Sequence, residues 1–148
     1  MKKVILTFVF AAGALLSTNA QTNTTGDWYV GTGDISNVAW TQWTLTPTVG
    51  YAFTDDIMAG FSLNQGTTTD STGATVAGDL NLDVHARYFF GEFFGYVGTQ
   101  NLTTDFGLNI GVGKMFTTET NGLYLDPRVV YNTADGTANL RVGFGLKF

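Results

Sequence analysis

The sequence predicts an all-β protein: an eight-stranded antiparallel up-and-down barrel that crosses a membrane on its strands and is preceded by a signal peptide. Three observations carry this. Beyond residue 20 the chain breaks into short runs of alternating apolar and polar residues, as in LRVGFGLKF at 140–148, and no stretch sustains a helical period. Charged residues are only 13 % of the chain, against about 25 % in an average soluble domain. Nineteen glycines and twenty-one aromatic residues occupy the same 148 positions, which suits a thin wall whose apolar side meets something other than water.

The first twenty residues read as an export signal. Lys2 and Lys3 precede thirteen largely apolar residues, Val4 to Leu16, and then the small polar run Ser17-Thr18-Asn19-Ala20. Thirteen helical residues at roughly 1.5 Å each fall short of a bilayer core of roughly 30 Å, so cleavage after Ala20 is expected and the barrel domain is residues 21–148. Without Lys2 and Lys3 that domain has five basic and twelve acidic residues, a net of −7. Nucleic acid is excluded as a partner on this balance, because phosphate binding needs clustered Lys and Arg. The chain has no cysteine, which removes disulfides, thiolate metal sites and an N-terminal lipid anchor.

Eight strands are expected, at about 27–34, 44–53, 57–64, 78–90, 93–100, 104–116, 123–131 and 137–148. Most are close to the roughly 9 to 11 residues that a tilted strand needs to cross a membrane. In the second, Leu45, Pro47, Val49, Tyr51 and Phe53 share one face, and Thr46, Thr48, Gly50 and Ala52 the other. The fourth sets Leu80, Leu82, Val84, Ala86, Tyr88 and Phe90 opposite Asn81, Asp83, His85, Arg87 and Phe89. The sixth sets Phe106, Leu108, Ile110 and Val112 opposite Gly107, Asn109, Gly111 and Gly113. Strands one and five show no clean faces. Pro47 and Pro127 each lack a ladder donor, so each calls for a bulge or a strand end. Thr54-Asp55-Asp56 and Gly91-Glu92 are tight turns, whereas 35–43 and 65–77 are long polar loops. In an eight-stranded meander the tight turns share one end with the C-terminus and the long loops share the other, as in outer-membrane barrels. The short connection near Asn101 to Thr103 is the exception.

Composition of the polar face decides which side is inside. A water-facing surface would be rich in Lys and Glu; this one is Gly, Thr, Asn and Ala with isolated charges, which suits the cramped interior of a small barrel. The apolar face gathers rings at strand ends. Tyr51, Phe53, Tyr88, Phe90, Phe93, Phe94, Phe116 and Phe148 are expected at the tight-turn side and Trp40, Trp43 and Tyr131 at the other, forming aromatic girdles at the two interfaces. Asp83, His85, Arg87, Asp126, Arg128 and Arg141 then point into the lumen. Buried charges must be paired or hydrated, so a cross-strand network of Arg87, Arg128 and Arg141 with Asp83 and Asp126 is expected, with His85 beside it. Such a network fills the lumen as a plug; a gated or narrow polar path is the competing reading. No catalytic residues, metal site or cofactor are expected, since His85 is the only histidine and no serine joins it in its strand.

The hairpin TLTPTVGYAFTDDIMAGFSL at 44–63, DVHARYFF at 83–90 and the terminal VGFGLKF together resemble small outer-membrane β-barrels of the OmpX/OmpW-like kind, and most closely the barrel-domain proteins common in Bacteroidetes. The resemblance spans the whole chain after the signal. It implies an integral protein of the cell outer membrane, porin-like in architecture; with no catalytic set among the residues, a non-enzymatic protein with a structural or surface-interaction role is expected. It also implies that Phe144, Leu146 and Phe148 form the terminal signal read by the barrel-assembly machinery. The expected partners are therefore outer-membrane lipid, that machinery during insertion and an extracellular partner of the outer loops. Two alternatives stand beside this: a narrow passive channel for small solutes or hydrophobic molecules, and a soluble periplasmic ligand-binding barrel.

Overall fold

The computed structural model describes residues 23–35, 46–69, 71–73, 75–100, 102, 106–118 and 121–148. The expected signal peptide over 1–20, and Trp40 and Trp43, lie outside the described residues. Alternating runs rich in Val, Tyr, Phe and Thr form strands, and the Asp, Asn and Gly clusters between them turn the chain. The strands are β1 (Trp28–Thr32), β2 (Pro47–Ala52), β3 (Ile57–Thr69), β4 (Thr75–Phe90), β5 (Phe93–Gln100), β6 (Gly107–Lys114), β7 (Phe116–Thr117), β8 (Leu123–Asn132) and β9 (Thr137–Lys147).

Apart from β6 and β7, strands adjacent in sequence pair antiparallel, and β1 pairs with β9 through Tyr29↔Lys147 to Thr32↔Phe144, which closes the sheet. β6 and β7 are two parts of one strand, since both pair with β8 in one register. The result is a closed barrel of eight antiparallel strands in up-and-down order. Closure gives every wall strand a partner on both sides, so no sheet edge is left along it.

The two prolines fall where the ladder can spare a donor. Pro47 is the first residue of β2. Pro127 pairs regularly with Val142 on one side, but Val142 turns its C=O to Ile35 and its N–H to Asp34. In an antiparallel pair such a residue and its opposite number both turn their backbone groups outward from each other, so the proline nitrogen faces β6 and β7. There the ladder stops at Gly113↔Arg128 and resumes at Phe116↔Leu125. The missing N–H of Pro127 thus coincides with the gap between β6 and β7.

One end of the barrel collects the turns after β2, β4 and β7 together with the segment that leads into β1 and the C-terminal residue. Trp28 and Phe148 exchange backbone hydrogen bonds of 2.8 and 3.0 Å, and Lys147 pairs with Asp27 at 2.8 Å. The turn before β8 needs its glycine: Gly122 has φ 63° and lies against the backbone oxygen of Lys147, where a Cβ would not fit. At the other end Asn132 closes the last hairpin, its side-chain oxygen accepting the N–H groups of Ala134 and Asp135 at 2.8 and 3.1 Å.

Two expectations are corrected. Segment 65–77 is not a loop: β3 runs to Thr69 and β4 starts at Thr75, paired across an irregularity between Gln65 and Thr67. The Thr-rich run has strand propensity without apolar alternation, so it forms a hairpin arm that no face pattern announces. At roughly 3.3 Å per residue β4 is about 50 Å long, well beyond the band of its neighbours. Phe94 is not in the girdle either. It is 0 % exposed and lies in the lumen core. Of two adjacent rings on one strand only one can face outward, and that one is Phe93.

Candidate functional site

The lumen is filled in three layers. The tight-turn half is apolar, with Tyr29, Met58, Phe89, Phe94, Met115 and Tyr124 all buried. Tyr29 and Tyr124 meet edge to face at 5.5 Å, and Phe89 and Phe94 at 5.6 Å. The wall's inward glycines make room for these groups. A Cβ on Gly113 would lie 2.5 Å from the Phe94 ring and 2.7 Å from Arg128, and one on Gly143 would overlap the Asp126 carboxylate.

The middle layer is the charge cluster. Arg87 enters from β4, and Asp126 and Arg128 enter from β8, two residues apart and hence on one face. β4 and β8 are three strands apart by one route round the barrel and five by the other, so the ion pair spans the lumen. Arg87 Nη1 is 2.5 Å from Asp126 Oδ2, and Arg128 Nη1 is 2.7 Å from Asp126 Oδ1; the three residues are 3, 0 and 4 % exposed. The Arg87 contact is electrostatic, without hydrogen-bond alignment, whereas Arg128 donates to both Asp126 and the Gly33 carbonyl oxygen. Aromatic faces complete the enclosure. The Arg87 guanidinium lies 4.9 Å over Phe94 and that of Arg128 lies 5.2 Å over Tyr96, contacts that strengthen where water is scarce. His85 stacks on Tyr96 at 5.8 Å. Its Nε2 and the Nε atoms of both arginines have no hydrogen-bond partner among the described residues.

Above the cluster the inward positions are polar: Thr48 and Ser62 share a 2.8 Å hydrogen bond, Asn132 donates to Gln100, and Asn109 is buried. Below it, the segment before β1 stoppers the tight-turn end. The buried Asn23 side chain donates to the carbonyls of Thr54 and Asp55 at 2.9 and 3.0 Å and accepts from the Tyr29 hydroxyl at 2.9 Å. Thr25 donates to Asp55 through N–H and hydroxyl at 2.8 and 2.7 Å, which holds that exposed carboxyl below its usual pKa.

Of the six charged or titratable residues expected together, the structure joins Arg87, Asp126 and Arg128, with His85 alongside. Asp83 and Arg141 occupy inward positions outside that cluster and are half-buried. Asp83 is four residues from Arg87 along β4, roughly 13 Å, and pairs in register with Ser62. Arg141 is directly opposite Arg128, a like-charge pairing in which Arg128 takes the carboxylate. Within the expected network of five, the ion pairs found join Arg87, Asp126 and Arg128. The outer face carries Phe53, Tyr88, Phe90, Phe93 and Phe148 exposed at the tight-turn end, with Tyr51 and Phe116 half-buried among them, and Phe106 and Tyr131 exposed at the other end. Leu140, Phe144 and Leu146 also face outward and are exposed. Val142, on the same face by alternation, is buried.

Sequence reasoning missed the apolar filling. Tyr29, Met58, Met115 and Tyr124 were legible only as apolar residues on the polar side of their runs, a signal that points inward once the outer face is assigned. Among the described residues no three His, Cys, Asp or Glu side chains are grouped to hold a metal. No family model, curated protein or solved structure matches this chain.

Proposed function

We propose that the chain is a non-enzymatic integral barrel of an outer membrane, with a lumen closed by side chains and a structural or surface-interaction role. One observation carries the reading: buried charge is inside the barrel, spanning it, while exposed rings and aliphatic chains cover the outside. A water-soluble barrel would put its charges on the outer face; a lipid-facing one needs an apolar band flanked by aromatics. The reading is in keeping with the sequence resemblance to OmpX/OmpW-like barrels. The arm formed by the outer parts of β3 and β4 supplies the surface for an extracellular partner, and the exposed Phe144, Leu146 and Phe148 supply the signal for barrel assembly.

The test combines fractionation with conductance. The protein is expected to stay with the outer-membrane fraction through an alkaline wash, and the purified barrel to add no current steps to a planar bilayer. Release into the wash supports the soluble ligand-binding barrel instead. Retention with open-channel steps supports the narrow passive path.

A further inference from the structure

Among the described residues of the closed wall, with β3 taken to Leu63 and β4 from Leu82, the outward positions are uncharged with one exception. Outward residues are the even-numbered ones on β1, β4, β6, β7 and β9 and the odd-numbered ones on β2, β3, β5 and β8, and of these only Lys114 carries a charge. It ends β6 beside the tight turn at 91–92. Its ammonium is 2.5 Å from the Glu92 carboxylate, 5.5 Å from the Phe93 ring centre and 5.0 Å from that of Phe116. The pair is accessible, at 30 and 42 % exposure. Glu92 is also held to the wall through its backbone, its carbonyl accepting the Met115 N–H at 3.1 Å.

A charge at this position is costly in hydrocarbon and favourable at headgroup level, where rings and lysine ammoniums gather. The interrupted ladder opposite Pro127 lies at the same place, and a backbone gap also belongs where polar groups can reach it. An ammonium has three N–H donors and a carboxylate two acceptor oxygens. One contact between them leaves donors on Lys114 and an acceptor oxygen on Glu92 for a further partner. The two opposite charges sit side by side, as do the phosphate and ammonium of a zwitterionic headgroup.

We propose that Lys114 and Glu92, walled by Phe93 and Phe116, dock the headgroup of a zwitterionic phospholipid bearing a primary ammonium, in the leaflet on the tight-turn side. Lys114 donates to the phosphate and Glu92 accepts from the headgroup ammonium. A quaternary choline has no N–H to offer Glu92, and an anionic headgroup meets its carboxylate unfavourably. This inference rests on the membrane reading above.

The test reads lipid carried by the barrel. Purified full-length protein is equilibrated in detergent with equal amounts of phosphatidylethanolamine, phosphatidylcholine and phosphatidylglycerol, and bound lipid is measured by native mass spectrometry. Phosphatidylethanolamine is expected to exceed each of the others by about fivefold, the factor for one favourable headgroup contact. Glu92→Gln should equalise the ethanolamine and choline lipids, and Lys114→Met should lose both, with heat-shifted gel migration showing that each variant is folded. Equal retention of the three lipids by the unaltered protein, a preference for phosphatidylglycerol, or a preference that survives both substitutions overturns the site. Failure of the protein to enter vesicles of these lipids sinks the membrane reading itself; entry without preference sinks only the docking site.

Discussion

Both faces of β4 carry aromatic rings, yet one is buried against the lumen and the other is open. Inward are His85, Arg87 and Phe89; outward are Val84, Tyr88 and Phe90, all exposed. The faces differ in charge as well as in hydropathy. Phe89 and Phe94 make the tight-turn half of the lumen as apolar as a soluble core, while the guanidinium of Arg87 reaches Asp126 across the same space. What separates inside from outside is where a full charge can find a counter-charge. In the lumen two arginines share one carboxylate; on the outer wall Lys114 pairs with Glu92 at the tight-turn end.

The largest expected effect breaks the inner face. Asp126→Ala leaves the Arg87 and Arg128 guanidiniums buried without their carboxylate and is expected to destabilise the barrel by about 3–5 kcal/mol. Urea unfolding in detergent micelles or vesicles, followed by tryptophan emission, measures it. Replacing the whole triad with Arg87→Met, Asp126→Leu and Arg128→Met should restore most of that loss, since buried ion clusters are often matched by apolar residues of similar volume. A triple variant as unstable as the single one would show that these charges hold the fold by more than mutual neutralisation.

The next effect tests the outer face. Val97 is exposed near the middle of β5, with Ala86 and Ile110 as its outward neighbours. In a bilayer, Val97→Arg is expected to cost about 2–4 kcal/mol, the penalty for a cation near the midplane of a barrel wall. The same substitution on a wall that met water would change stability by less than about 0.5 kcal/mol. Refolding titrations into vesicles, compared with the unaltered protein, separate these two values.

Alternation was enough to read the strand number, the barrel class and the faces of β2, β4 and β6, because in a closed wall every second residue meets a different environment. It failed where that rule has no apolar marker. The arm at Gln65–Thr69 and Thr75–Ala77 pairs through its backbone, and its Thr and Gly residues give no face to detect. Phe93-Phe94 offered two rings for one outward position. The charge triad was legible as a set of inward residues, but its membership was not. Arg128 takes Asp126 from its own strand and the Gly33 carbonyl from the end of β1, while Arg141 lies opposite another arginine. Such choices depend on the register between strands distant in sequence, which one chain's periodicity does not encode.

The smallest expected effect belongs to neither face. Asp55 lies in the turn between β2 and β3, exposed, and accepts two hydrogen bonds from Thr25. Those bonds favour its charged form and lower its pKa in the folded state. Its contribution is therefore present above the unfolded-state value and lost as pH falls through the lower folded-state one. Asp55→Asn should weaken the barrel slightly at neutral pH and make no difference at strongly acid pH, where the unaltered residue is also neutral. Paired unfolding midpoints at the two pH values give the comparison. A deficit in the variant that persists in acid would show that the carboxylate's shape rather than its charge seats Thr25, and with it the stopper that Asn23 forms at this end of the lumen.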